Sequence, residues 1–102
     1  LNKYIGGVFM KNNYNEPERT YKIIGENVKY YRQLINLKGE KMTQEDLAEK
    51  ANLSIGVIGS LESKNKIQGV SILSLINLSK ALNVEPADLL NSREKEKETV
   101  LS

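Results

Sequence analysis

An all-α domain of five helices is the fold the sequence predicts, and three features of the 102-residue chain point to it. Apolar residues recur at spacings of three and four from Ile23 onward, which is the repeat of one helix face. A hydroxyl residue stands before three of the apolar runs (Thr43, Ser54 and Ser71), where its oxygen can accept from the free N–H groups of a first helical turn. Gly39, Asn52 and Asn83 stand after the runs, and both residue types tolerate the left-handed conformation that closes a helix.

The first helix is expected from Thr20, its N-cap after Pro17, to about Leu37. Ile23, Ile24, Val28, Tyr31, Leu34 and Ile35 form its inner face. Polar Lys38-Gly39-Glu40-Lys41 stops it. Thr43 opens the second helix, Gln44–Lys50, with Leu47, Ala48 and Ala51 inward and Glu45 and Asp46 against the positive end of its dipole. Asn52 turns the chain and Leu53 points inward. Ser54 then caps a third helix, Ile55 to about Ser63, that buries Ile58 and Leu61. Residues 64–70 form a polar loop. Ser71 caps a fourth helix carrying Leu75, Leu78, Ala81 and Leu82, and Asn83 ends it. Val84 tucks in, and Pro86 opens a fifth helix at the position where a missing N–H costs nothing. Leu89 and Leu90 close that helix.

Composition narrows the function. A length of 102 residues suits one domain, and 39% apolar with 27% charged residues suits a soluble, folded one. The chain has neither Cys nor His, which removes thiol nucleophiles, disulfides, the usual zinc ligands and the commonest general base. No enzyme activity, cofactor or metal is therefore expected. No apolar run approaches the roughly 18 residues that span a bilayer, and Tyr4 to Met10 is too short for a signal-peptide core. A cytoplasmic protein without a membrane partner is expected. The net charge of +2 says little alone, but residues 20–70 hold eight Lys or Arg against six acids.

Three segments follow. Residues 1–19 read as an irregular N-terminal arm, punctuated by Gly6-Gly7, Asn12-Asn13, Asn15 and Pro17. Met10 is the expected natural start, so residues 1–9 read as an appended remnant or upstream read-through. Residues 20–91 form the helical domain. Residues 92–102 form a charged tail in which Arg93 to Glu98 alternate in sign.

The second and third helices meet across the tight turn Asn52-Leu53-Ser54, with small Ala48 at their crossing and Leu53 and Ile58 filling the corner. This is helix-turn-helix geometry, in which the second helix of the pair can enter a major groove about 12 Å wide. With Ile24-Gly25-Glu26-Asn27-Val28-Lys29, Arg32, Thr43 to Ala51, Leu53-Ser54, Ile58, Leu61-Glu62, Leu75, Leu78, Ala81-Leu82-Asn83-Val84 and Leu89-Leu90, the chain resembles the Cro/repressor-type helix-turn-helix regulators, the XRE family. The likeness runs from about Ile24 to Leu90.

That resemblance implies a five-helix Cro/repressor-like DNA-binding domain, double-stranded DNA as partner and a homodimer on a two-fold site. It implies that Gln44 bonds a DNA phosphate, a role that suits a helix N-terminus. It implies a salt bridge between Arg32 and Glu62 joining the first and third helices, and base reading at Ile55, Gly56 and Ser60. The expected DNA face is Thr43, Gln44, Ser54, Ile55, Gly56, Gly59, Ser60, Ser63, Lys64, Asn65 and Lys66.

Two departures stand out. Gln33 to Met42 makes a long link where many relatives have a short one. Ile55, Gly56 and Gly59 replace the Gln, Arg, Lys or Ser that relatives often carry, so Ile55–Leu61 lacks any group for bidentate base readout. Ile55 on a thymine methyl, Ser60 on a base edge, Lys64 to Lys66 and DNA shape are the expected substitutes. Lys11, Asn12, Asn13 and Arg19 of the arm form a second candidate reader. The expected function is a sequence-specific transcription regulator of the repressor kind. The alternative is a protein-interaction module or an antitoxin on the same fold, with a protein partner at the apolar third helix.

Overall fold

Five helices and no strand form the described residues, 16–93 of a computed structural model. They are α1 (Glu16–Leu37), α2 (Gln44–Ala51), α3 (Ile55–Glu62), α4 (Ile72–Leu82) and α5 (Pro86–Leu90). Lys11, Asn12 and Asn13 of the expected arm, and the tail beyond Arg93, lie outside the described residues.

α1 starts at Glu16 rather than after Thr20, so residues 16–19 are helical. The cause is local. Glu16 and Glu18 sit in the first turn, where carboxylates favour the positive end of the dipole. Pro17 sits in that turn too, where its missing N–H breaks no helical bond. α1 ends as expected at Leu37, and Gly39 takes a φ of 96°. There the N–H of Glu40 bonds the Ile35 carbonyl (3.3 Å) and the N–H of Gly39 the Asn36 carbonyl (3.1 Å). Asn52 (φ 58°) and Asn83 (φ 60°) close α2 and α4 with the same pair of bonds, from Leu53 to Ala48 and from Val84 to Ser79 across each turn. These nested bonds satisfy carbonyls that a helix end leaves free.

α1 packs on α3 and α5, while α2 packs on α3 and α4. The shared core is Ile24, Val28, Leu47, Ala48, Ala51, Ile58, Leu61, Leu78, Leu82 and Leu89, with Met42. Met42, at the end of the long link from Gln33, is buried although polar residues 38–41 precede it. Ile23 and Leu34 are only half-buried. The two leucines of α5 part company: Leu89 is buried and Leu90 is exposed.

Two contacts set how α1 lies on its neighbours. A Cβ on Gly25 would stand 2.0 Å from the Leu61 carbonyl oxygen, so α1 crosses the last turn of α3 backbone to backbone. Further along, buried Asn27 donates from Nδ2 to the carbonyls of Leu89 (2.8 Å) and Asn91 (2.9 Å), tying down the end of α5. Its Oδ1 accepts from Arg93 Nε at 2.9 Å. The Arg93 guanidinium also lies 4.0 Å from the Tyr30 ring centre, a cation–π contact. Arg93, read from sequence as the first charge of the tail, thus packs on α1.

Candidate nucleic-acid interface

The site is built on the N-terminus of α2. Thr43 Oγ1 accepts from the Asp46 N–H (3.0 Å), and Asp46 Oδ2 accepts from the Thr43 N–H (2.9 Å). This reciprocal box satisfies two donors that an N-terminus otherwise leaves free. The bond from the Thr43 backbone N–H, then that from its side chain, hold the Asp46 carboxyl below the usual range, with Lys41 and Lys50 adding to the effect.

Behind this terminus runs a partly buried polar network centred on Glu62. Arg32 grips Glu62 with two bonds, Nε to Oε2 at 2.7 Å and Nη2 to Oε1 at 2.8 Å. Their side chains are 13% and 2% exposed, so the pair joins α1 to α3 away from water. Bonding to Glu62 raises the already high pKa of Arg32 against the opposing effect of burial, and the guanidinium stays charged. Arg32 Nη1 also donates to the Met42 carbonyl at 3.1 Å. Asn36 brackets the same residue: Nδ2 donates to the Met42 carbonyl (2.9 Å), and Oδ1 accepts from its N–H (2.8 Å). The long link is therefore an extended α1, a Gly39 turn and a strap pinned at Met42.

Gln44, half-buried at the first position of α2, donates from Nε2 to Glu62 Oε1 at 3.0 Å. A primary amide has two donor hydrogens and a carbonyl acceptor. One donor is committed to Glu62; the second and the oxygen remain for a partner. The oxygen faces Gly59, where a Cβ would lie 4.0 Å away.

Across the turn, Ser54 Oγ accepts from the Val57 N–H at 3.2 Å and starts α3. Ile55 is 54% exposed despite its apolar side chain, and Gly56 is exposed beside it. A Cβ on Gly56 would find Ser54 Oγ at 3.8 Å and nothing nearer. Gly59, Ser60 and Ser63 are half-buried along the same helix and its end. Ser63 Oγ accepts from the Asn65 N–H at 3.1 Å, and Lys64, Asn65 and Lys66 are exposed. Lys22 of α1 donates to the Lys64 carbonyl.

The structure thus brings Arg32, Glu62 and Gln44 into one network and leaves Ile55, Gly56 and Lys64 to Lys66 facing solvent. Sequence reasoning missed Asn36 and Met42, which carried no signal beyond an amide and an apolar side chain six residues apart. Among the described residues, no three His, Cys, Asp or Glu side chains converge to hold a metal ion. Among them, too, no helix is long and apolar enough to cross a membrane.

Comparison with known proteins bears on this geometry. The Helix-turn-helix family matches residues 28–89, from the middle of α1 to the end of α5. The control protein C.SmaI of Serratia marcescens is 43% identical over 68 residues, 67% of this chain and 73% of that protein. Among solved structures, the restriction-modification controller protein C.AhdI from Aeromonas hydrophila superposes with a TM-score of 0.55 at 28% identity. That match covers 68% of this chain and 94% of C.AhdI. The hypothetical transcription factor NHTF from Neisseria gives a TM-score of 0.64 over 89% of this chain and 97% of its own. At 16% identity, that likeness is one of fold.

Proposed function

The chain belongs to the helix-turn-helix family of DNA-binding transcription regulators, and from that premise we propose that it is a sequence-specific repressor with α3 in the major groove. The observation that carries this reading is the contrast at the corner. A partly buried network holds the N-terminus of α2 and the end of α3, while the start of α3 stands exposed with its first side chains unburied. A helix held rigidly at one end and open at the other suits insertion into a groove.

In this reading Gln44 gives its second amide hydrogen to a backbone phosphate, assisted by the α2 dipole and the free N–H groups of its first turn. Thr43, Ser54, Ser63, Lys64, Asn65 and Lys66 line the backbone. Ile55 touches a thymine methyl, and Gly56, Gly59 and Ser60 allow the helix close to the base edges. The likeness to two controller proteins supports a role in controlling the genes of a restriction-modification system. One such helix covers about a half-site, so a cytoplasmic homodimer on a two-fold operator completes the proposal. Exposed Leu90 of α5 is the candidate contact for that dimer, since Leu89 is consumed by the core.

A second reading has one observation in its favour: Ile55 beside Gly56 is an exposed apolar step that suits a protein partner. The duplex upstream of its own gene, titrated by fluorescence anisotropy at two salt concentrations beside a scrambled duplex, decides between them. The expected result is tighter binding to the upstream duplex, weakening with salt. Gln44→Ala should bind about tenfold more weakly, as loss of one charge-assisted hydrogen bond implies. Absence of binding to either duplex at low salt would sink the repressor reading and favour a protein partner at Ile55.

A further inference from the structure

Beside the helix-turn-helix, between α1 and the end of α3, lies a pocket of about 210 Å³. Its walls carry Lys22, Lys29, Lys64 and Arg93 against two carboxylates, Glu26 and Glu62. Glu62 is already neutralised by Arg32, so the pocket is strongly cationic. Its origin is the backbone crossing at Gly25, which lays α1 on the last turn of α3. The residues spaced at helical repeat on one face of α1 (Lys22, Glu26 and Lys29) then border Ser63 and Lys64. Lys22 spends one donor on the Lys64 carbonyl. An ammonium has three, so its charge and two donors stay available.

We infer that this pocket binds a phosphoryl anion, and that the anion is a phosphate of the duplex backbone lying outside the helix-turn-helix footprint. The inference deepens the repressor reading and rests on it for the source of the phosphate. Two observations connect the pocket to the proposed DNA face. Glu62 lines the pocket and also holds the Gln44 amide, so one carboxylate separates the two sites. Lys64 belongs to both. The backbone track therefore runs from the α2 N-terminus past Glu62 to Lys64, Lys29 and Lys22. A protein whose third helix lacks bidentate base-reading groups gains affinity by adding phosphate contacts of this kind.

The test uses the full chain and the variants Lys29→Gln and Lys22→Gln/Lys29→Gln, whose unchanged thermal melts certify folding. Affinity for the upstream and scrambled duplexes is measured from about 50 to 200 mM salt, a range over which phosphate contacts are strongly titrated. Each lost contact should lower the slope of log K against log salt by about 0.9, so the salt-induced loss shrinks about threefold per lysine, equally on both duplexes. In parallel, inorganic pyrophosphate is titrated while the backbone amides of Ser63 and Lys64 are followed by NMR. Shifts in those amides that vanish in the double variant, together with the smaller slope, support the inference. If wild type binds the upstream duplex and the variants keep its full slope, the backbone assignment is overturned while the repressor reading stands; pyrophosphate shifts would then mark a site for a free anion. If wild type binds no duplex, the repressor reading falls and with it the duplex as source. Pyrophosphate shifts would then uphold the anion site alone, and their absence would overturn it.

Discussion

α2 and α3 are both eight residues long and both start at a hydroxyl cap, yet they are helices for different reasons. α2 carries its own instructions: a reciprocal box at Thr43 and Asp46, acids in the first turn, Lys50 in the last, and left-handed Asn52 at the end. α3 has one cap bond from Ser54, no acid in its first turn, no base in its last, and two glycines. Glycine weakens a helix by about 0.5–1 kcal/mol relative to alanine. Isolated segments of this length are not stable in water in any case. α3 is held from outside, by burial of Ile58 and Leu61 and by the grip of Arg32 and Gln44 on Glu62. The lesson is a division of labour. Tethered at its far end, α3 is relieved of folding duty on its exposed side, where Ile55 and Gly56 stand open to solvent.

If that comparison holds, α3 should be most sensitive to loss of its tethers. Glu62→Ala leaves Arg32 buried without its counter-charge and should cost about 3–5 kcal/mol by chemical denaturation. Removing both charges with apolar residues of similar volume should cost clearly less, because no orphan charge remains. A loss under about 1 kcal/mol for Glu62→Ala would mean that the pair behaves as a surface bridge and that packing alone holds α3.

Gly25→Ala attacks the same seat through the backbone. With the new Cβ directed at the Leu61 carbonyl, α1 must lift from α3 at a cost of about 3 kcal/mol, the upper end of ordinary overpacking. The thermal midpoint should fall accordingly, and a crystal structure of the variant should show the helices spread. An unchanged midpoint would show that the crossing is not fixed at Gly25.

Gly56→Ala sharpens the comparison in the opposite direction. The site has room for the methyl group, so α3 should gain about 0.5–1 kcal/mol. If duplex DNA approaches the backbone there, affinity for the upstream site should fall while stability rises. A gain in stability with unchanged affinity would place the close approach elsewhere on α3.

The smallest effect belongs to α2. Because the folded state depresses the Asp46 pKa, the capping box stabilises above the ordinary aspartate range and is lost as pH falls through the depressed value. Asp46→Ala should therefore lower the thermal midpoint near neutral pH, and that difference should close in acid. A difference that persists unchanged at low pH would assign the effect to something other than the carboxylate.

Much of this fold is legible in the sequence because it is written in local chemistry. Thr43, Ser54 and Ser71 cap helices through bonds that reach three residues, and Gly39, Asn52 and Asn83 end them through their own backbone angles. The start of α1 is ambiguous in the sequence because Pro17 marks a loop and a first helical turn equally well. Asn36 and Met42 were missed because their pairing exists only once the chain has turned at Gly39. The bonding role of Asn27 has no local signal, since its partners at Leu89 and Asn91 lie more than sixty residues away.

The sequence by itself therefore determined the five helices, their order, the tight turn between α2 and α3, and the family. Periodicity, caps and left-handed stops are properties of neighbouring residues. Tertiary structure alone decided that Leu89 is core while Leu90 is surface, that Gln44 already bonds Glu62, and that Arg93 joins α1 through Asn27 and Tyr30. It alone decided that lysines distant in sequence share one pocket. The physical reason is that such contacts depend on how helices cross. Here a missing side chain at Gly25 sets the crossing of α1 and α3, and beyond the Arg32–Glu62 pair that the family motif implies, spacing along the chain does not encode what that crossing brings together.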